Sequence, residues 1–224
     1  MRLTRLAAST SLLFLLCGLQ GALAADDMSA TPHDNRVEFA WGAALTSNYM
    51  VGGETQSADK PAFQAYGEIS SGIVYAGIWF STVELDPDRY EYDTYFGIRP
   101  QFGNLSLDAA YYRYWYDDTG NCCGEWIVKA DLELSEPLTV QAGWYWDPQS
   151  PSAFASAGLE LTLSDNWSLS ATYKDDLESH DSIWDAGLTW SLTDEMSLDF
   201  RYHDSERFDE RYVVTLAWDF STAQ

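Results

Sequence analysis

Residues 211–220 read Arg211-Tyr212-Val213-Val214-Thr215-Leu216-Ala217-Trp218-Asp219-Phe220. Taken alternately, they give one row of Tyr212, Val214, Leu216, Trp218 and Phe220 and an opposite row of Arg211, Val213, Thr215, Ala217 and Asp219. Side chains of a strand point to opposite faces with period two, so these rows are the two faces of one strand. One face is apolar and ends in an aromatic; the other carries both signs of charge. Such a strand borders two solvents. The pattern recurs along the chain with no helical segment between, which predicts an all-β fold. The expected architecture is an antiparallel up-and-down transmembrane β-barrel of about twelve strands, lipid outside and water inside.

Upstream, the same charge-free rows occur at Val37, Phe39, Trp41, Ala43, Leu45, at Tyr92, Thr94, Phe96, Ile98, and at Trp126, Val128, Ala130, Leu132, Leu134. They recur at Leu138 to Trp146, Ala155 to Leu163, Trp167 to Tyr173, Trp184 to Leu192 and Met196 to Tyr202. An Arg or Lys on such a face costs about 2–4 kcal/mol at the bilayer midplane and little near the interface. Arg113, the one charge extending an outward row, sits at a strand end beside Trp115, where it can snorkel. Residues 73–83 are apolar or neutral on both faces, so their facing is left open.

The complementary rows hold the charges: Glu68, Glu91, Asp93, Arg99, Asp108, Glu125, Lys129, Asp131, Glu133, Glu160, Lys174, Asp185, Asp199 and Arg201. These are the expected lumen or pore-lining residues. A soluble lipocalin-type barrel would carry its greasy rows inside, so that fold is disfavoured. The acid excess of this set raises local cation concentration if the lumen is watered. The competing reading is a network in which the four bases pair with the acids and close the interior.

Short turns at 102–104, 135–137, 164–166 and 193–195 alternate with longer polar loops at 47–60, 85–90, 116–124, 147–152, 175–182 and 204–210. Outer-membrane barrels place short turns at the periplasmic end and long loops outside, so both termini are expected to be periplasmic. Trp115, Tyr116, Trp126, Trp144 to Trp146, Trp167 and Tyr173 are expected in the interfacial aromatic belts.

Residues 1–24 have the form of a cleaved export leader: Arg2 and Arg5, an apolar run to Leu16, then Ala22-Leu23-Ala24. Cys17 follows a bulky Leu16, which does not fit a lipobox. A polar segment (25–36), the barrel (37–220) and a short tail (221–224) complete the expected organisation. The chain has 12 basic and 35 acidic residues, a net charge of −23. Loss of Arg2 and Arg5 with the leader takes it to about −25. That excludes nucleic acid and docking on anionic lipid as main roles. The expected surroundings are outer-membrane lipids, lipopolysaccharide, the outer-membrane assembly machinery and small solutes. The Phe220 strand resembles the aromatic-ended signal which that machinery reads, though a Ser-Thr-Ala-Gln tail follows it.

Cys122 and Cys123 are adjacent in a Gly/Asn/Asp-rich loop and are read as a vicinal disulfide or two exposed thiols, because no further soft metal ligand lies nearby. The acidic loop runs lack Ca²⁺-loop spacing and read as solvated surface. His33, His180 and His203 stand without a nucleophile elbow, so catalysis is not expected, nor a cofactor or resident metal.

Residues 45–64 contain Leu45-Thr46-Ser47-Asn48-Tyr49, Gly53-Glu54-Thr55-Gln56 and Lys60-Pro61-Ala62-Phe63-Gln64. This resembles the opening motif of the TorF-type porin family, and Tyr75 to Trp79, Glu91 to Tyr95, Gly103 to Asp108, Tyr111 to Tyr116 and Glu125 continue the likeness. Val51 and Gly52 stand where the family pattern has phenylalanine and arginine, so the chain lacks a basic group there. The resemblance implies an outer-membrane barrel and channel, with Asn48, Tyr49, Gln56, Pro61 and Gln64 at the pore mouth. Asn48 and Gln56 either meet solute, fold the first loop inward as a constriction, or satisfy loop backbone. The function expected is passive diffusion of small, cation-favoured solutes; the alternatives are a non-conducting structural or adhesive barrel and an outer-membrane lipid hydrolase.

Overall fold

The computed structural model describes residues 36–150 and 153–222, with the two-residue strands Ser11–Leu12 and Leu23–Ala24 before them. The rest of the leader, Cys17, His33 and the polar segment 25–35 lie outside the described residues. Twelve long strands follow in order. They are β1 (Val37–Thr46), β2 (Ala62–Ser71), β3 (Val74–Leu85), β4 (Asp88–Ile98), β5 (Leu105–Tyr116) and β6 (Gly120–Ser135). Then come β7 (Leu138–Trp146), β8 (Ala153–Ser164), β9 (Trp167–Asp176), β10 (Ser182–Ser191), β11 (Met196–Ser205) and β12 (Arg211–Ser221). Each pairs antiparallel with its sequence neighbour, and β12 returns to pair with β1 through Leu216↔Leu45, Trp218↔Ala43 and Phe220↔Trp41. Closure removes every sheet edge, as backbone groups in hydrocarbon require.

The rows face as their chemistry dictates. Phe39, Trp41, Leu45, Phe96, Val128, Leu159, Phe200 and Val214 are exposed on the outer wall, while Ala44, Tyr66, Tyr95, Lys129, Asp199 and Thr215 are buried within. For β3 the structure supplies the facing: Val74 and Ile78 are exposed outward, and Tyr75, Trp79, Ser81 and Val83 point in. Both faces of this strand are apolar because its inner face packs against other inward aromatics rather than water.

Outer aromatics collect at two levels. At the end carrying the termini, Trp41 stacks on Phe220 and Trp167 on Trp190. At the opposite end Trp144 stacks on Trp146, Trp126 meets Tyr111, and Tyr202 contacts Trp184 and Tyr212. Arg113 lies over Trp115, 5.9 Å from its ring centroid. Tyr116 and Tyr145 depart from the expected belts: both face inward, Tyr116 donating to Glu91 and Tyr145 lying under Lys174. Their parity, odd against even, sets them apart from Trp115, Trp144 and Trp146.

Two of the expected long loops are tight hairpins. β3 and β4 are joined by Asp86-Pro87 with Leu85 opposite Asp88, and β5 and β6 continue to Tyr116 and Gly120. These extensions are rich in Asp, Pro and Gly, which makes them look like loops. Asp117 Oδ1 accepts the Arg89 and Tyr90 amides at 2.8 and 3.0 Å, and Asp88 accepts those of Asp118 and Thr119, lacing the two hairpins together. Cys122 and Cys123, near the start of β6, form a vicinal disulfide.

Candidate functional site

The long connection between β1 and β2 (residues 47–61), here L1, folds into the barrel mouth instead of standing clear of it. Asn48 is its hub. Its Oδ1 accepts from Thr55 Oγ1 at 2.5 Å and Ser57 Oγ at 3.0 Å, and its Nδ2 donates to Asp59 Oδ1 at 2.8 Å. The Gln56 amide donates to the Tyr49 carbonyl, and the Gln56 carbonyl accepts the Glu84 amide. Asn48 and Gln56 thus hold the loop in shape, as buried amides and backbone groups must be satisfied. Tyr49 is 1% exposed; its hydroxyl donates to Glu91 Oε2 at 3.0 Å and its ring meets Trp79.

The tip of L1 is a ribbon of Met50–Val51 with Glu54–Thr55. Gly53 lies there at φ +82, and a Cβ on it would meet Ser205 Cβ at 2.7 Å. Glycine is therefore demanded twice, by the left-handed backbone and by the approach to β11. L1 consequently reaches from the β3–β4 wall to β10 and β11. Between its tip and the rims of β8 to β11 remains a cleft of about 200 Å³, bordered by Glu54, Phe154, Asp176, Ile183, Arg207 and Phe208. Asp59, at the base of L1, is gripped by Arg211 at 2.7 Å, which holds its carboxyl below the usual range.

Below L1 the barrel interior divides. On β1 to β5 it is filled: Tyr66, Tyr75, Trp79, Tyr95 and Tyr112 pack with Ala44, Gln64 and Ala110, all nearly solvent-free. On β7 to β9 the inward positions hold small or uncharged polar residues such as Gln141, Gly143, Ser156, Gly158 and Thr172 beside a buried Tyr145, and several of the former stay partly exposed although the barrel is closed. A cavity of about 10 Å³, the room of one water, lies on this side against Lys129, Asp131, Gln141, Ser156 and Thr172.

Of the fourteen residues of the charged rows, Glu133 is exposed at the end of β6, and the other thirteen face inward but form separate groups. Arg99, following β4, turns back to Glu68 at 3.2 Å and Asp108 at 3.0 Å, and stacks over Tyr75. Arg201 binds Asp199 through Nε and Nη2 at 3.1 Å each, Asp185 at 2.6 Å and Ser170 at 2.8 Å. Glu125 accepts from Tyr114, while Glu160 is half-buried on the open β8 wall. Lys174 sits 4.3 Å above the Tyr145 ring, and Lys129 is cross-strand neighbour to Asp108. Glu91 and Asp93 stand on the filled side. Of the motif residues, Pro61 is exposed at the foot of L1, and Gln64 is not at the mouth at all: it is buried in the β2 wall.

Sequence reasoning put Asp219 on the charged row but missed its partner Tyr66, bonded to it at 3.1 Å over Gly42, and the inward aromatics. Inward parity was the available signal for Tyr66, Tyr95 and Tyr112, which share the faces of charged residues. His203 also faces inward as the cross-strand neighbour of Asp185, and no serine hydrogen-bonds it among the described residues.

No protein-family model and no curated protein matches the sequence, so the motif at 45–64 stands as a resemblance. Solved structures do match. KdgM porin in complex with disordered oligogalacturonate superposes with a TM-score of 0.62 at 8% identity, over 82% of this chain and 99% of that one. KdgM porin itself gives 0.61 at 8% identity over the same shares. A protein from work on in-meso crystallisation of membrane proteins gives 0.58 at 8% identity, over 84% and 85%. At such identities the likeness is one of architecture: this chain has the barrel fold of porins.

Proposed function

We propose that this chain is an outer-membrane diffusion channel, narrow and cation-favouring, in which L1 is the constriction. The observation carrying this reading is the half-exposed inner wall of β7 to β9 inside a closed barrel. Ser156, Glu160 and Thr172 stay partly exposed there, whereas the opposite wall is buried. The route runs from the cleft at the L1 tip, with Glu54 and Asp176 at its border, down the β7–β9 wall past Glu160 and Asp131.

Selection follows from size and field. L1 and the small inward cavity limit passage to ions and small solutes. Nine inward acids against four bases leave a negative interior, which concentrates cations and repels anions. The likeness to KdgM porin supports the channel reading, but an oligogalacturonate is a polyanion and suits this interior poorly. No catalytic group takes part. The TorF-type resemblance agrees with the location and the channel role.

Reconstitution in planar bilayers under a KCl gradient tests the reading. A reversal potential of the sign set by K⁺ permeation is expected. Absence of conductance, or a potential of the opposite sign, would overturn it.

A further inference from the structure

Among the described residues several interior acids, Glu125, Asp131, Glu160 and Asp219 included, form no salt bridge, but Glu91 and Asp93 are by far the most deeply buried of them. The Glu68/Asp108 and Asp185/Asp199 pairs each hold an arginine, but Glu91 and Asp93 carry no salt bridge among the described residues. Glu91 is 3% exposed and Asp93 1%. Glu91 accepts from Tyr49 and Tyr116, and Asp93 Oδ1 has no hydrogen-bond partner among the described residues. Two carboxylates cannot remain buried without a base unless a proton or a cation neutralises them.

A second observation points into the same place. Gln64, Ser81 and Glu91 form one inward row, register partners across β2, β3 and β4, and Trp79 is the register partner of Asp93 one level away. Gln64 is 0% exposed, yet neither amide atom has a partner among the described residues, and its Oε1 is the acceptor that a cation would engage. Ser81 is the short residue between two long ones, so Gln64 and Glu91 flank it from either side in the same row. All the acceptors there are hard oxygens: two carboxylates, a carboxamide, a serine hydroxyl and the phenol of Tyr49. That donor set suits a Ca²⁺-type cation, with charge to balance two carboxylates.

We infer that Glu91, Asp93 and Gln64, with Ser81 and Tyr49, form a buried divalent-cation site of the Ca²⁺ class in the β2–β4 wall beneath L1. Tyr49 joins the loop to the site, so an occupied site pins L1 to that wall. The inference is independent of whether the barrel conducts.

Terbium(III), a luminescent probe of Ca²⁺ sites, tests it on the folded protein in detergent, with excitation of tryptophan. Sensitised emission displaced by Ca²⁺ is expected, because Trp79 adjoins the site. Glu91→Gln/Asp93→Asn should weaken Tb³⁺ binding by on the order of tenfold or more. Trp79→Phe should remove most of the emission while the affinity read by Ca²⁺ competition calorimetry stays. Should the double variant not fold, Trp79→Phe decides alone. Emission unchanged in Trp79→Phe, or unchanged affinity in Glu91→Gln/Asp93→Asn, would place the ion on the acidic loops and overturn the assignment. Absence of binding would overturn it too, and would mean that a proton neutralises the pair.

Discussion

Arg201 lies across Gly187, where a Cβ would meet its Cζ at 2.6 Å, so the guanidinium occupies the space that glycine leaves. In that seat it serves Asp185, Asp199 and Ser170 together. Arg201→Leu would leave two interior carboxylates without their base, at a cost of about 3–5 kcal/mol. Urea unfolding in lipid vesicles measures it; a loss below about 1 kcal/mol would contradict the network. At the L1 base, the Arg211 guanidinium beside Asp59 holds its carboxyl below the usual range. Its folded value lies under its unfolded one, so the pair's contribution is complete above the unfolded value and is lost as pH falls through the folded one. An NMR titration of the Asp59 carboxyl should show a midpoint below 3.8, and a midpoint at or above it would contradict the pairing.

At the scale of elements, L1 and the strand faces do different work. Excising the L1 tip, residues 50–55, removes the ribbon that reaches β11 while leaving the barrel hydrogen bonds intact. Single-channel conductance should then rise severalfold; an unchanged value would show that L1 does not limit passage. Val214→Arg, on the outer row of β12, should cost about 2–4 kcal/mol in vesicle unfolding if it lies near the bilayer midplane, and a neutral effect would contradict the facing. That facing was legible from sequence because lipid forbids charge on one parity, and every outward row obeys. The facing of β3 was not, since Tyr75, Trp79 and Val83 meet other side chains inside and leave no polar row to read. Nor was the fate of L1: Asn48 and Gln56 were legible as loop anchors, but the direction in which Gly52 and Gly53 turn the ribbon depends on Ile183 and Ser205, more than a hundred residues away. The hairpins at 85–90 and 116–124 were read as loops because their Asp, Pro and Gly residues interrupt the alternation.

For the whole molecule, the account rests on an asymmetry of the interior. Large side chains fill the β1–β5 half, whereas β7 to β9 carry mainly small polar ones around Tyr145, Phe154 and Lys174, and the proposed off-centre passage would run along that wall. Strand number alone cannot create this, since twelve strands lie between side-chain-filled and water-filled barrels. Inward side-chain size does. In the proposed channel the acid excess would set the sign of the field in the remaining space, with Arg99 and Arg201 cancelling part of it.

Cysteine accessibility tests that passage most directly, because Cys122 and Cys123 are joined to each other and do not compete for reagent. Thr172→Cys on the open wall and Ser81→Cys on the filled one would each be exposed to a small cationic methanethiosulfonate during bilayer recording. Rapid modification and a fall in conductance at Thr172→Cys, with Ser81→Cys unmodified, is the result expected. An unreactive Thr172→Cys, or one whose modification leaves the current unchanged, would contradict the passage along β7 to β9.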